Sequence, residues 1–230
     1  MQKAAFLDLD HTLYNGYLFQ DWMEFLISQG GFSKKVLVSL DLKLLLNRLS
    51  GLDYFKASED VAKAIGGIIK GHKTAEVFPV TLEFVKSANR NFYDYAIPAI
   101  KKLKTDGFRI ILVTNEADFL AEYIKDYLEA DDALGLDFEI KNGVFTGKGL
   151  NDYSGKNSKA GTIREYADKN NINLEKSLAM GDSEADLKML EAVGKGYLIN
   201  ADEKTKEKAK ALRATVINEE SQILQIITQT

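Results

Sequence analysis

The chain has 230 residues, 45% of them hydrophobic, and carries a net charge of −4. That is material for one large domain or a domain with a smaller insert, and the mildly acidic balance lacks the basic footprint of a nucleic-acid binder. With no cysteine and only His11 and His72, disulfides, zinc–thiolate sites and a cysteine nucleophile are excluded, so any metal is expected to be a hard cation on oxygen ligands.

Met1-Gln2-Lys3 leads straight into the apolar run Ala4–Leu7, without the long apolar stretch and small-residue cleavage site of a signal peptide. The run reads as a buried parallel strand ending at Asp8. From about residue 17 to 91 the pattern turns helical: Trp22, Phe25 and Leu26 share one helix face, as do Val61, Ala64 and Ile65. Breaks are expected at Gly30-Gly31, Gly51, Gly66-Gly67 and Gly71, and Pro79 is expected in a helix's first turn or at a kink. The apolar stretch Val36 to Leu49 is interrupted by Asp41, Lys43 and Arg48, which argues against a membrane span and for helical core. A cytoplasmic location is the resulting expectation; nothing in the sequence speaks to oligomeric state.

From Pro98 strands and helices alternate. A helix ends near Asp106 with Gly107 as its stop, and Arg109–Val113 forms a core strand followed by a helix from about Ala117 to Glu129. Phe138 to Gly147 reads as a hairpin turning at Asn142-Gly143. A helix from Lys159 to Asn170, a strand Ser177–Met180, a helix from about Glu184 to Val193 and strands at Tyr197–Ile199 and Thr215–Ile217 follow, with a last helix after Ser221. This order implies an α/β fold: a Rossmann-like, doubly wound parallel sheet with an inserted helical cap. The expected division is a core of residues 1–15 and 94–230 and a cap of 16–93.

Ligands of open α/β sheets bind at the carboxyl ends of the strands. Asp8-Leu9-Asp10-His11-Thr12, Thr114-Asn115, Lys159 and Gly181-Asp182-Ser183-Glu184-Ala185-Asp186 all fall there or just beyond. Asp8 and Asp10 are spaced so that extended backbone aims both carboxylates one way. Such a pair resists joint ionisation unless a cation lies between, and Asp182 from another strand end would complete a hard-oxygen site suited to magnesium. Magnesium would screen an attacking carboxylate from a phosphate ester, while the Thr114 hydroxyl and the Lys159 charge could hold phosphoryl oxygens. The competing readings are ordinary: Asp182 and Ser183, or Thr114 and Asn115, as helix caps, and Lys159 as a solvated lysine. Lys34, Lys35, Arg48, Lys56 and Lys73 could include an anion clamp, although solvation is the commoner fate. Tyr14, Tyr17, Phe19 and Trp22 are expected to pack at the cap hinge, with Tyr17 able to face the substrate instead.

This set resembles the haloacid dehalogenase superfamily. Asp8-Leu9-Asp10-His11-Thr12 matches its Asp-x-Asp-x-Thr motif, Thr114 its second motif, Lys159 its third, and Gly181-Asp182 with Asp186 its Gly-Asp-x-x-x-Asp motif. The hairpin with Asn142-Gly143-Val144-Phe145-Thr146-Gly147, the helix from Lys159 and Asn173-Leu174-Glu175 are similar to the phosphoserine-phosphatase branch. The resemblance implies a magnesium-dependent phosphatase acting on a small phosphorylated metabolite. By it, Asp8 is the nucleophile and Asp10 the general acid and base. The Asp8 carboxylate, the Asp10 carbonyl and Asp182 hold Mg2+, with Asp186 supporting them from behind, and Thr114, Asn115 and Lys159 bind the phosphoryl group. Where that branch has a substrate-contacting Glu this chain has about Tyr17, a candidate for specificity, and where it has Ser-Gly-Gly this chain has Thr114-Asn115-Glu116. A phosphotransferase sharing the same phosphoenzyme is the alternative. A phosphorylation-switched signalling module is disfavoured by the order of motifs, since in receivers the acceptor follows a later strand.

Overall fold

The computed structural model describes residues 1–39, 54–151, 158–218 and 220–228. Six parallel strands form one sheet in the order β3-β2-β1-β6-β7-β8. They are β1 (Lys3–Leu7), β2 (Phe108–Ala117), β3 (Asp132–Leu136), β6 (Leu178–Gly181), β7 (Lys195–Ile199) and β8 (Thr215–Ile217). A two-stranded antiparallel hairpin, β4 (Phe138–Lys141) and β5 (Val144–Gly149), stands apart from it.

The strands sort their side chains onto two faces by simple alternation. Ala5, Leu7, Ile110, Leu112, Leu178, Met180, Tyr197 and Ile199 join one hydrophobic cluster. Ala4, Phe6, Ile111, Val113, Ala179 and Leu198 join the other. Helices α4 (Ala96–Thr105), α5 (Asp118–Leu128) and α9 (Glu220–Thr228) supply the first cluster, and α6 (Lys159–Asn170), α7 (Leu187–Glu191) and α8 (Glu203–Ala209) the second. Both faces are thus covered, which is why these strands are near-continuous apolar runs; the doubly wound sheet is as expected.

Between β1 and β2 the described secondary structure is helical. Helix α1 (Leu18–Ser28) buries Trp22 and Leu26, α2 (Tyr54–Ile69) buries Ala64 and Ile65, and α3 (Thr74–Ser87) buries Val77, Phe84 and Val85. Gly30, Gly31 and Gly71 have positive φ and break the chain as expected. Gly66 and Gly67 do not: they lie inside α2. A Cβ at Gly66 would sit 2.3 Å from the Gly147 carbonyl oxygen, so glycine serves here for close approach of α2 to β5 rather than for a turn. Pro79 lies well inside α3 rather than in its first turn. Its exposed position lets water take the carbonyl that loses its amide partner. Gly51 and most of the apolar run from Val36, with Arg48, fall outside the described residues, and the side chain of Lys56 is likewise not described. No helix among the described residues is long and apolar enough to cross a membrane.

The hairpin turns at Asn142 and Gly143 with φ of 52° and 75°, the left-handed pair of a two-residue turn. It docks on the helical insert: Gly71 N–H donates to Phe145 O, Phe145 N–H to His72 O and Thr74 N–H to Gly143 O, each at 2.9 Å. Strand β3 was not expected from the pattern, and α7 starts at Leu187, later than expected, because residues 182–186 form a turn closed by Asp186.

Candidate active site

The site is built where β1, β2 and β6 end side by side. The Asp8 N–H donates to Met180 O at 3.0 Å, which ties the end of β1 to the last residues of β6. Beyond Asp8 the chain turns sharply, with Leu13 N–H and Tyr14 N–H both on Leu9 O at 2.8 Å. His11 takes a positive φ of 51°, and its carbonyl accepts from Asn200 Nδ2 at 2.8 Å. Tyr95 donates its hydroxyl to Thr12 O at 2.5 Å. Side chains from distant elements therefore hold the loop that carries Asp10.

Lys159, in the first turn of α6, is buried rather than solvated. Its Nζ donates to Asp8 Oδ1 at 2.6 Å and to Asp186 Oδ1 at 2.7 Å. Ser158, one residue before it, caps the helix by accepting from Gly161 N. The other Asp186 oxygen accepts from Ser183 N (3.0 Å), Ser183 Oγ (2.7 Å) and Asp182 N (3.3 Å). Asp186 thus folds the 182–186 turn around its own carboxylate. A Cβ at position 181 would lie 2.4 Å from Asp186 Cβ, so glycine there is a steric requirement of this turn. Asp182 and Ser183 do not act as side-chain caps of α7, whose N-cap is Asp186.

Carboxylate oxygens of Asp8, Asp182 and Asp186 lie within 4.8 Å of one another. Lys159 is the only Lys or Arg buried among the described residues. One ammonium cannot balance this many carboxylates. Accordingly burial, then the Asp186 charge, raises Asp8 to about 7 against the opposing pull of Lys159. Burial raises Asp10 to about 6, opposed by hydrogen bonds from the Leu18 N–H and the Glu116 side chain. Asp182 is raised well above the carboxylate range by burial and by Asp186 and Asp8. A hard-oxygen set short of positive charge fits a divalent cation such as Mg2+.

Thr114 is buried on β2, its Oγ1 accepting from Glu116 N–H at 3.2 Å, and Asn115 is half-buried beside it. Asp10 Oδ1 accepts from Leu18 N at 2.8 Å, the first amide of α1. Tyr17 is 52% exposed, packed edge-on against His11 at 4.7 Å. Tyr14, Phe19 and Trp22 are buried, as a hinge-packing role requires.

Sequence reasoning did not single out Glu116. It is buried at the end of β2, and its Oε1 accepts from Phe19 N at 3.0 Å. Oε2 is buried and has no donor among the described residues. Burial, then the Asp10 charge, pushes its carboxyl well above the usual range. An acidic residue directly before a helix reads as a dipole-favoured surface charge, and only the extra length of β2 reveals that it is inside.

A solved structure described as a phospho-aspartyl intermediate analogue of phosphoserine phosphatase superposes with a TM-score of 0.67 at 22% identity, covering 98% of this chain and 99% of that one. A crystal structure of a protein of unknown function from Bordetella pertussis Tohama I gives a TM-score of 0.77 at 22% identity, covering 95% and 99%. Phosphoserine phosphatase of Archaeoglobus fulgidus is 32% identical over 110 residues, which are 48% of this chain and 32% of that protein. Several of the curated phosphoserine phosphatases matched are spanned over only 27% to 36% of their length. The family described as haloacid dehalogenase-like hydrolase matches residues 5–191, which takes in β1, the helical insert, β2, Lys159 and the Gly181–Asp186 turn, and the chain belongs to that family, with the fold of its phosphoserine-phosphatase-like branch.

Proposed function

We propose that this chain is a magnesium-dependent phosphatase that hydrolyses a phosphate monoester of a small metabolite through an aspartyl-phosphate on Asp8. The observation that carries the reading is the buried Lys159 ammonium joining Asp8 to Asp186, with Asp182 alongside, from elements far apart in sequence. A structural ion pair would be satisfied with one carboxylate. Gathering several around one lysine at strand ends costs stability, which suits a site built to receive a cation and a phosphoryl group.

Asp8, the Asp10 carbonyl and Asp182 would hold Mg2+. When bound, the ion supplies positive charge that keeps Asp8 ionised and offsets the charge of the phosphoryl oxygens. The Asp8 carboxylate attacks phosphorus, forming the acyl phosphate as the bond to the leaving oxygen breaks. Asp10 gives that oxygen its proton, then accepts one from the water that cleaves the acyl phosphate and releases inorganic phosphate, regenerating Asp8. A carboxyl near 6 has both protonation states accessible at neutral pH, as this double duty requires. Thr114, Asn115 and Lys159 would bind the phosphoryl oxygens. Asp186, with both oxygens already engaged, supports the reading in which it orients Lys159 and the 182–183 backbone rather than binding the ion itself. Residues 16–93 act as the cap, with Tyr17 at its start facing His11.

The test is release of phosphate from p-nitrophenyl phosphate and from a panel of phosphorylated amino acids, sugars, nucleotides and amino alcohols, with magnesium or with chelator. Turnover is expected only with magnesium, and Asp8→Asn is expected to abolish it. Borohydride reduction of the working enzyme should convert Asp8 to homoserine, read by mass spectrometry. Wild-type turnover by Asp8→Asn rejects the mechanism.

A further inference from the structure

We propose that Glu116 is a positioning residue for Asp10, and that the two carboxyls together seat the start of α1 over the site. The inference rests on the phosphatase reading above, in which Asp10 handles the proton of the leaving group.

The first amides of a helix have no acceptor within it. In α1 the first two are taken by side chains of the sheet: Leu18 N–H by Asp10 Oδ1 at 2.8 Å and Phe19 N–H by Glu116 Oε1 at 3.0 Å. Asp10 comes from the loop after β1 and Glu116 from the end of β2, and these strands are neighbours. Successive helix residues rise by about 1.5 Å, so two acceptors for consecutive amides must lie side by side. The Asp10 carboxylate is thereby held by the helix in front, with the Glu116 carboxyl beside it on the next amide.

Glu116 is not free to do otherwise. Its main chain is tied by N–H donation to Thr114 Oγ1 at 3.2 Å, and its side chain is buried. The second oxygen, Oε2, has no donor among the described residues. A buried carboxyl left half-satisfied is costly, and its polar neighbour is the Asp10 carboxyl. An acid that merely capped α1 could have been solvated at the surface. This one spans from the cap helix to the proton-transfer residue, and nothing in the reaction as derived above uses it.

The consequence is selective. Losing Glu116 orphans Phe19 N–H and lets Asp10 swing, without touching Asp8, Lys159 or Asp182. The damage should therefore scale with how much the leaving oxygen depends on a proton. The experiment compares kcat and KM of wild type, Glu116→Ala and Glu116→Gln on p-nitrophenyl phosphate, whose leaving group departs unaided, and on glycerol phosphate, whose alkoxide does not. Glu116→Ala is expected to lower kcat on glycerol phosphate by about 100-fold, and on p-nitrophenyl phosphate by less than about 10-fold, with KM nearly unchanged. Glu116→Gln should recover most of the loss, because its amide oxygen can still accept from Phe19 and its NH₂ can donate to Asp10. If Glu116→Ala does not fold, Glu116→Met, which keeps the volume and removes both oxygens, takes its place. Equal losses on both substrates, a change in KM alone, or a folded Glu116→Gln no better than Glu116→Ala would overturn the assignment while leaving the phosphatase reading intact. A wild-type protein inactive on every phosphate ester tested overturns both.

Discussion

Replacing Lys159 by Met removes the buried ammonium but keeps an unbranched side chain of similar length. In the folded protein that ammonium donates to Asp8 at 2.6 Å and Asp186 at 2.7 Å, with all three side chains 6% exposed or less. Breaking a buried pair by deleting one partner costs about 3–5 kcal/mol, because the charges left behind are uncompensated. The cost must depend on pH. Asp8 already sits at about 7 against an ordinary 3.8, and Lys159 is among the causes that hold it down. Without the lysine its folded value rises further, so the folded state binds more protons than the unfolded state over a wider range. Stability from such a raised carboxyl is fully present below about pH 4 and is lost as pH rises through the folded value. In metal-free buffer Lys159→Met should therefore be mildly destabilised at pH 5, where the carboxyls can protonate, and by the full ~3–5 kcal/mol at pH 8. For a chain of this size that corresponds to a fall in Tm of roughly 10 °C. Denaturant melts with chelator at both pH values measure it. A loss equal at pH 5 and pH 8, or below about 1 kcal/mol at pH 8, would show that Lys159 does not neutralise the site.

Mg2+ should raise Tm of the wild type by several degrees at concentrations about 100-fold above its dissociation constant, equivalent to ~2.7 kcal/mol. Asp182→Asn should lose most of that rise while keeping the metal-free Tm, and an undiminished shift would remove Asp182 from the ion's ligands. Gly66→Ala should destabilise the fold by about 1–3 kcal/mol, since its Cβ would fall 2.3 Å from the Gly147 carbonyl. A melt within a degree of wild type would mean that α2 and β5 separate more easily than their packing suggests.

The sheet and most of the site were legible because chemistry and fold coincide in them. Apolar runs that end in acid or hydroxyl residues mark the strand ends, so Asp8, Thr114 and Asp182 announce themselves. Lys159 was legible only by its order among the motifs; its burial could not be read, since an isolated lysine is almost always solvated. Strand β3 was missed because Asp132-Ala133-Leu134-Gly135-Leu136 is a short edge strand with a glycine inside it and its first three positions only half-buried. Gly66-Gly67 misled because a glycine pair signals a break in isolation, whereas here tertiary contact with Gly147 dictates it. Glu116 was invisible for a related reason. Whether β2 stops at Val113 or runs on to Ala117 decides whether that side chain faces water or Asp10, and local sequence does not fix a strand end to within three residues.

The placement of the helical insert bears on how a substrate could enter. Its middle is bound to the hairpin by three main-chain hydrogen bonds at 2.9 Å and by the Gly66–Gly147 contact. Phe78 of α3, Phe145 of β5 and Phe119 of α5 form a ring cluster with centroids 5.4 to 5.9 Å apart, and Trp22 of α1 joins Phe119 at 5.7 Å. A rigid swing of the insert away from the sheet would have to break the packing of Phe78 and Trp22 on Phe119. Lesser movement centred on the start of α1 breaks the Leu18–Asp10 and Phe19–Glu116 bonds. The first of those bonds ends on Asp10, the residue proposed to hand over a proton, and the second on Glu116 beside it. On the proposed mechanism, opening at that point would free Asp10 from its hydrogen bond to α1 and closing would restore it, which would tie proton transfer to a covered site from which bulk water is excluded.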